Sequence, residues 1–460
     1  MLISQTGPLA ELRGRIEGRV VLPGDEDFDL ARQAFNLTVD QRPAAVIDVA
    51  STADVTATVR YAAENGLRVA PQGTAHNAAP LRLGDGVLLL RTTALDEVSI
   101  DAERRSARAG AGVRWGAVAD AASELGLAPL SGSSRTVGVA GYSLGGGFGW
   151  LGRRHGLQTN AVTAIELVTA DGQLRRVDAD NDPELFWALR GGGGSFGVVT
   201  SLEFDLFEAP EVYAGALFFP FERAGEVMHA WYEWSKGQPE ELGTTGRVVQ
   251  LPDLPELPEI IRGKSFAIVQ AAYLGGESAG AEIMRPLVRL GPEMNTCAMV
   301  PPAALGYLAL DPEDPLPYAS APNLIGDLGA AGIDAFVEAT GPGSGSTMAS
   351  VELRLMGGAL ARSAPHHGAR ATLDGSYLMF AVGAVMAAEQ LLPVKERAEA
   401  IASALDPWAE GRSYANFVED WTDARAFYDD ETWRRLLAVR AQVDPDRLFR
   451  ANHEIAEEAG

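Results

Sequence analysis

The sequence predicts an α+β protein of two domains, and three observations carry that reading. Its 460 residues exceed a single small core and suit two or three domains. Strand-type and helix-type segments interleave through the first two hundred residues, opening on a compact β-α-β unit. Around residues 207–210 the pattern changes to long strands separated by helices and by loops rich in proline and acid. That second pattern reads as one antiparallel sheet with helices covering a face.

Each element follows from local pattern. Residues 44–50 form an apolar run of strand length. Ser51 and Asp54 then supply an N-cap and a first-turn acid, and the helix they open stops at Asn65 and Gly66. Residues 67–70 and 87–90 make two further strands, parallel to the first. A short strand follows at 105–110 and a helix at 115–125. Residues 164–169 and 174–177, joined through Asp171 and Gly172, read as a hairpin. Residues 198–206 alternate as one more strand. Beyond 210, strands at 213–221, 265–273, 350–356 and 376–386 alternate with helices, and the loops 251–258 and 311–315 interrupt them. Tyr414 to Phe417 reads as a strand, and a helix is expected over 430–442. No internal repeat is visible.

Composition narrows the function classes. Hydrophobic residues at 47% and charged residues at 22% exclude wholesale disorder. A net charge of −24 with no basic run opposes both a duplex and an anionic membrane, so neither is an expected partner. Cys297 is the single cysteine, which excludes an internal disulfide and any multi-cysteine metal or iron–sulfur site. Residues 1–30 carry Glu11, Arg13, Arg15, Glu17 and Asp25 without a signal-like apolar stretch. No uninterrupted apolar run of about 18 residues occurs anywhere. A soluble, cytoplasmic protein is the expectation.

The 51 glycines exceed the usual share of about 7% and gather in clusters rather than in a repeat, which favours a glycine-lined binding site over a linker. The first cluster spans 137–149. Small residues there let backbone approach a ligand closely, and exposed N–H groups can cradle phosphate. An anionic cofactor on an acidic protein must be held by oriented amides, not by bulk charge. A tight packing corner explains the same spacing equally well. The run does not fit the dinucleotide fingerprint of a Rossmann fold, because no matching strand and ribose acid accompany it. The second cluster, Gly191 to Gly194 with Gly197, follows a helix and leads straight into a strand; a helix C-cap needs only one glycine. The third element is the loop Gln72, Gly73, Thr74, Ala75, His76 and Asn77, directly after a strand. Its histidine is either a surface or hydrogen-bonded residue or a functional one.

In their order, the β-α-β unit, the histidine loop and the two glycine clusters resemble the flavoprotein oxidases with the vanillyl-alcohol-oxidase, or PCMH-type, FAD fold. Residues 414–417 and 433–450 narrow the resemblance to the berberine-bridge-enzyme-like subgroup, over about residues 22–455. It implies a two-subdomain, discontinuous FAD-binding domain from residues 1–208 and 408–460. It also implies a substrate domain, 209–407, with an antiparallel sheet covered by helices. FAD is implied to be attached through His76 alone, since the second, cysteinyl attachment of many members falls on Ser134, which has no sulfur. The loop departs from the Arg-x-Gly-Gly-His that relatives commonly show: Gln72, Thr74 and Ala75 stand where the arginine and both glycines would be. Beyond the loop 72–77, the cofactor-binding residues implied are Ser134, Thr136, Val137, Gly138, Gly141, Tyr142, Gly146, Gly147, Gly149, Gly197, Val198, Val199 and Asn416.

The implied activity is oxidation of an alcohol, amine or hemiacetal carbon of a small organic substrate. Hydride passes to flavin N5, a base takes the heteroatom proton, and dioxygen reoxidises the cofactor to give hydrogen peroxide. A same-fold dehydrogenase and a flavin binder without turnover are the alternatives. Glu352 and Arg354 alternate on one strand and share a face, as a surface ion pair or as a flavin-facing one. Tyr414 matches the family's Tyr-x-Asn tyrosine, which often serves as base; it can also be a core aromatic. A phenol of ordinary pKa near 10 needs a cation to act at neutral pH, and Arg354 is the nominee. Val137, three places after Ser134, matches the position where valine goes with oxygen reactivity and leucine with dehydrogenases; otherwise it simply begins an extended segment. His366 and His367 read as a solvated loop, and no metal site is expected. Cys297 reads as a small buried hydrophobe, and Trp231, Tyr232 and Trp234 as packing.

Overall fold

The computed structural model describes residues 8–251, 253 and 259–457. Most of the proline-rich loop expected at 251–258 lies outside the described residues. The β-α-β unit forms the first sheet, in which Ala45–Asp48, Val87–Arg91 and Arg68–Gln72 run parallel and Arg19–Val21 adds an antiparallel edge. Its helix, Thr52–Glu64, starts where the Ser51 side chain accepts from the Asp54 amide. Asp54 itself does more than offset the helix dipole. Its buried carboxylate accepts from the amides of Glu17, Gly18 and Ala50, so the charge is satisfied by three backbone donors.

The second sheet is antiparallel throughout, ordered Val98–Asp101, Ser106–Gly110, Val198–Asp205, Val162–Val168, Leu174–Asp178. The expected hairpin at Asp171 and Gly172 is its outer pair. The strand Val198–Asp205 does not alternate between core and solvent, because both of its faces are covered. Val198 packs into the core of the first sheet, while Val199, Leu202 and Phe204 pack into a separate core with Trp115 and Leu167.

The third sheet is wholly antiparallel and runs from Met294–Asn295 through Val212–Pro220, Ser265–Tyr273, Leu242–Gln250, Ser350–Leu355 and Tyr377–Ala384 to the edge strand Tyr318–Ile325. The helices Ala224–Ser235, Gly329–Thr340 and Leu391–Ala404 cover one face, burying Trp231, Tyr232, Phe336 and Ile401 against Val351, Leu353 and Met379. Trp234 packs beside them, and Cys297 is half-buried at the same core, its thiol pushed up to about 11 by burial. Two long strands of this sheet escape sequence reading, as do the short edge pieces Met294–Asn295 and Ala298–Val300. Leu242–Gln250 carries glycine, threonine and arginine; at Gly246 a side chain would sit 2.8 Å from the Trp231 ring, so only glycine fits there. Tyr318–Ile325 contains Pro322, which an edge strand tolerates.

The C-terminal segment packs against the first two sheets. After the helix Asp430–Val443, Leu448 and Phe449 enter the core of the first sheet. The Val69 amide donates to the Leu448 carbonyl at 2.9 Å, and the Arg450 amide to the Val69 carbonyl at 2.8 Å. Residues 414–417 are not a strand: Tyr414 is extended and Ala415–Phe417 closes a 3-10 turn.

Candidate functional site

The uncovered face of the third sheet meets the glycine clusters of the first half around a cavity of about 960 Å³. That is the upper end of the range for small-molecule sites. Period-2 alternation builds its sheet wall: Val351 and Leu353 turn to the helices, while Ser350, Glu352 and Arg354 turn to the cavity.

The histidine loop leaves the strand Arg68–Gln72 and lines the cavity from Gln72 to Asn77. Gln72 stays in the wall, exchanging amide hydrogen bonds with Gln41 at 2.8 and 3.2 Å and accepting from Arg91 at 2.9 Å. Ala75 adopts φ +62°, the left-handed region where glycine is at ease and alanine costs about 1–2 kcal/mol. The loop thus keeps a glycine conformation without a glycine. Two contacts hold it: Thr74 Oγ1 accepts from the Gly138 amide at 3.0 Å, and the Asn77 side chain donates to the Ala415 carbonyl at 3.0 Å.

His76 stacks on Phe35 with ring centroids 3.7 Å apart. Its Nε2 lies 3.0 Å from Thr136 Oγ1, and Ser134 Oγ lies 3.1 Å from the same hydroxyl. Burial, against the hydrogen bond to Thr136, takes the imidazole pKa down to about 4, so the ring is neutral at pH 7.

The glycine run divides between the two readings open to it. Gly138 and Gly141 line the cavity with Val137, Tyr142 and also Gly145, and a side chain at Gly141 would meet nothing within 4 Å. Gly146, Gly147 and Gly149, expected beside the cofactor, are not among the residues that line the cavity. At Gly149 a Cβ would fall 1.8 Å from the Ser131 carbonyl oxygen, so close backbone packing demands the glycine. In the second cluster Gly191 to Gly194, Gly197 and Val199 line the cavity, and side chains at Gly193 and Gly194 would project into open space or touch only Ala451. Val198 does not face the cavity; its side chain belongs to the first sheet's core, one residue out of phase with Val199.

Glu352 and Arg354 both line the cavity, and the pair is buried, not a surface one. Arg354 Nε donates to Glu352 Oε1 at 2.7 Å, and Arg354 Nη2 reaches Ser133 Oγ at 3.2 Å. Arg247, directly across the sheet from Glu352, approaches its other oxygen at 3.4 Å. Asn416 lines the cavity and donates to the Tyr142 carbonyl at 3.0 Å.

Tyr414 is placed differently from the base expected of it. It is 1% exposed, packs with Phe148, Leu157 and Leu360 behind the cavity wall, and its Oη accepts from the Gly147 amide at 2.7 Å. Burial raises its phenol pKa, and Arg370 counters this more than Arg354 does. A phenol so enclosed is a brace for the glycine turn. Tyr414→Phe should therefore retain cofactor and rate but lose about 1–3 kcal/mol of stability, as the buried Gly147 amide loses its acceptor. Thermal unfolding and cofactor content of the purified variant check both halves.

Several cavity residues carried no legible signal: Arg247, Tyr318, Glu419 and His453, each isolated in sequence. His366 is exposed and His367 bonds to the Ala371 carbonyl at 3.2 Å. No group of His, Cys, Asp and Glu among the described residues suits a metal ion, and no described helix is long and apolar enough to cross a membrane.

FAD fits this donor set. The open sides of Gly141, Gly193 and Gly194 form a cradle that a Cβ would fill, which lets backbone approach an extended ligand. Asn77 Oδ1 and His453 Nδ1, on cavity-lining residues, are buried polar atoms without a hydrogen-bond partner. Both can serve the polar edges of a large cofactor.

A family model described as an FAD binding domain matches residues 43–178. The chain is 37% identical to (R)-6-hydroxynicotine oxidase of Paenarthrobacter nicotinovorans over 195 residues, 42% of this chain and 43% of that protein. It spans half the length or less of that and other curated relatives it matches. Among solved structures it is similar to the BBE-like 1 protein of Physcomitrella patens, with a TM-score of 0.85 at 21% identity over 98% of this chain and 100% of the other. It is also similar to 6-hydroxy-D-nicotine oxidase from Arthrobacter nicotinovorans, with a TM-score of 0.80 at 25% identity over 96% of this chain and 98% of that one. Residues 43–178 therefore carry an FAD binding domain, and over nearly its whole length the chain has the fold of, and is similar to, the berberine-bridge-enzyme-like flavoproteins with the vanillyl-alcohol-oxidase (PCMH-type) architecture.

Proposed function

We propose that this protein is an FAD-dependent oxidase of a small organic alcohol, amine or hemiacetal. Residues 1–208 and 408–460 hold the cofactor, and residues 209–407 present the substrate-facing sheet. One observation carries the reading: His76, the glycine cradle and the Glu352–Arg354 pair all line a single cavity. When bound, FAD would supply the redox chemistry, as the acceptor of a hydride from the substrate carbon and the donor of two electrons to dioxygen, so that substrate and O2 would give carbonyl or imine and hydrogen peroxide.

The chain's own residues bind, orient and manage protons. His76 is the residue that would carry a covalent bond to the cofactor. Its ring is neutral at pH 7, its Nε2 edge is engaged by Thr136, and Nδ1 has no hydrogen bond among the described residues. Ser134 and Thr136 hold the ring in place. Glu352, Arg354 and Arg247 set a polar face against which a substrate hydroxyl or amine can orient, at little reorganisation cost because the ions are already paired.

Anaerobic mixing with a panel of alcohols, amines and sugars tests the proposal. At least one should bleach the flavin, and readmitted air should restore the colour with peroxide formed. A flavin that no member bleaches rules out the oxidase.

Oxygen access supplies a further expectation. Val137 lines the cavity, and leucine there adds one methylene to the wall. Val137→Leu should slow reoxidation by air while leaving anaerobic reduction nearly unchanged. A wild-type reduced flavin that persists for minutes in air-saturated buffer points instead to a dehydrogenase.

A further inference from the structure

Glu419 belongs to no motif, yet it lines the cavity together with Glu352, Arg354 and Phe417. Its segment is fastened to both walls. On the cofactor side, Asn77 donates to the Ala415 carbonyl, Asn416 donates to the Tyr142 carbonyl, and His453 Nε2 lies 3.1 Å from the Val418 carbonyl. On the sheet side, Glu419 Oε1 accepts from Tyr318 Oη at 2.7 Å and Oε2 from Ser320 Oγ at 2.8 Å. The carboxylate is thus fixed at the seam between the histidine loop and the edge strand of the third sheet.

No cation pairs with Glu419 among the described residues. Asp420 follows it in the chain, and Asp311 stands beyond Tyr318. Lys395, on the helix Leu391–Ala404, pairs with Asp420 instead. Two hydroxyl donors steady the carboxylate without neutralising it. Burial dominates and pushes Glu419 up to about 7, while the Tyr318 phenol is raised further from its ordinary value and stays protonated. Glu419 therefore changes charge within the neutral range, where a general base works best.

We propose that Glu419 is the catalytic base of this site, with Tyr318 as its positioning residue. The assignment rests on the oxidase reading above. The substrate O–H or N–H bond breaks and its proton goes to the Glu419 carboxylate. The electron pair left on the heteroatom forms the new C=O or C=N bond as the C–H pair leaves as hydride to the flavin. Glu419 then returns the proton to solvent as product departs. Hydride and proton together account for the two hydrogens that end in peroxide.

The test uses the FAD-loaded protein. Without substrate, the infrared carbonyl band of a protonated carboxyl group should titrate with a midpoint of about 7, and that band should vanish in Glu419→Gln. With substrate, single-turnover flavin reduction in the wild type should fall as pH drops through that midpoint. Glu419→Gln should slow it by roughly 100-fold or more and abolish the acid limb. Tyr318→Phe removes a donor to the charged form, so it should move the limb to higher pH without abolishing it. A wild-type reduction that Glu419→Gln leaves with the same rate and pH profile overturns the base assignment alone. A flavin that no substrate reduces overturns the oxidase reading and the base role with it.

Discussion

His76→Ala should release the flavin: after acid precipitation, yellow colour should stay in the wild-type pellet and pass to the supernatant in the variant. The physical ground is the state of the ring. A protonated imidazole has no lone pair to bond carbon, and burial keeps His76 neutral down to about pH 4. Stacking on Phe35 and the contact with Thr136 fix its plane and its Nε2 edge. The variant should still bind FAD reversibly, because the open glycine edges and the side chains of Asn77 and His453 are untouched. Wild-type protein that surrenders its flavin to acid would remove the covalent bond and leave the cradle. Thr136→Val is the finer probe. It removes the hydroxyl that holds the ring and should lower the covalent fraction without touching the bonding residue.

Much of this arrangement was legible in the sequence where a local rule sufficed. The Ser51 cap, the Gly66 stop and the Asp171–Gly172 hairpin turn are local, and each element they bound lies where the pattern puts it. The glycine clusters were legible as clusters, but not which members face a ligand. A glycine has no side chain to give its direction, so only the fold separates Gly141, open to the cavity, from Gly149, pressed on the Ser131 carbonyl. Val198 and Val199 were indistinguishable for a related reason. A strand covered on both faces shows no polar alternation to set its phase. Ala75 hid a left-handed residue behind an ordinary one. Glu419 was invisible because its partners Tyr318 and Ser320 sit about a hundred residues away, on a strand whose proline disguised it. Tyr414 drew attention through its motif, whereas its enclosure behind the cavity wall depends on Phe148 and Leu360, which no motif names.

Glu352→Leu should be among the most destabilising single changes on the cavity wall, and the reason is charge rather than volume. Glu352 is 4% exposed and lies between two guanidinium groups, Arg354 on its own strand and Arg247 directly across the sheet. Removing it leaves two cations side by side on a wall that holds Arg247 only 7% exposed. Breaking a buried pair in this way costs about 3–5 kcal/mol, whereas replacing the whole group with apolar residues is often close to neutral. The double variant Glu352→Leu with Arg354→Leu should therefore recover part of the loss. Glu352→Gln, which keeps an acceptor for Arg354 Nε, should fall between wild type and Glu352→Leu. Arg247 limits the damage, since it also donates to the Ala309 carbonyl at 2.6 Å and to Ser350 Oγ at 2.8 Å. Among the described residues Arg354 keeps only Ser133 Oγ as a further hydrogen-bond acceptor, with the Phe417 ring centroid 5.2 Å from its guanidinium carbon, so it is the group that must move or recruit water. Denaturant unfolding of the FAD-loaded variants measures the series. If Glu352→Leu unfolds at the wild-type midpoint, the two arginines do not depend on the carboxylate, and the polar face proposed to orient the substrate would have to be built from the arginines alone.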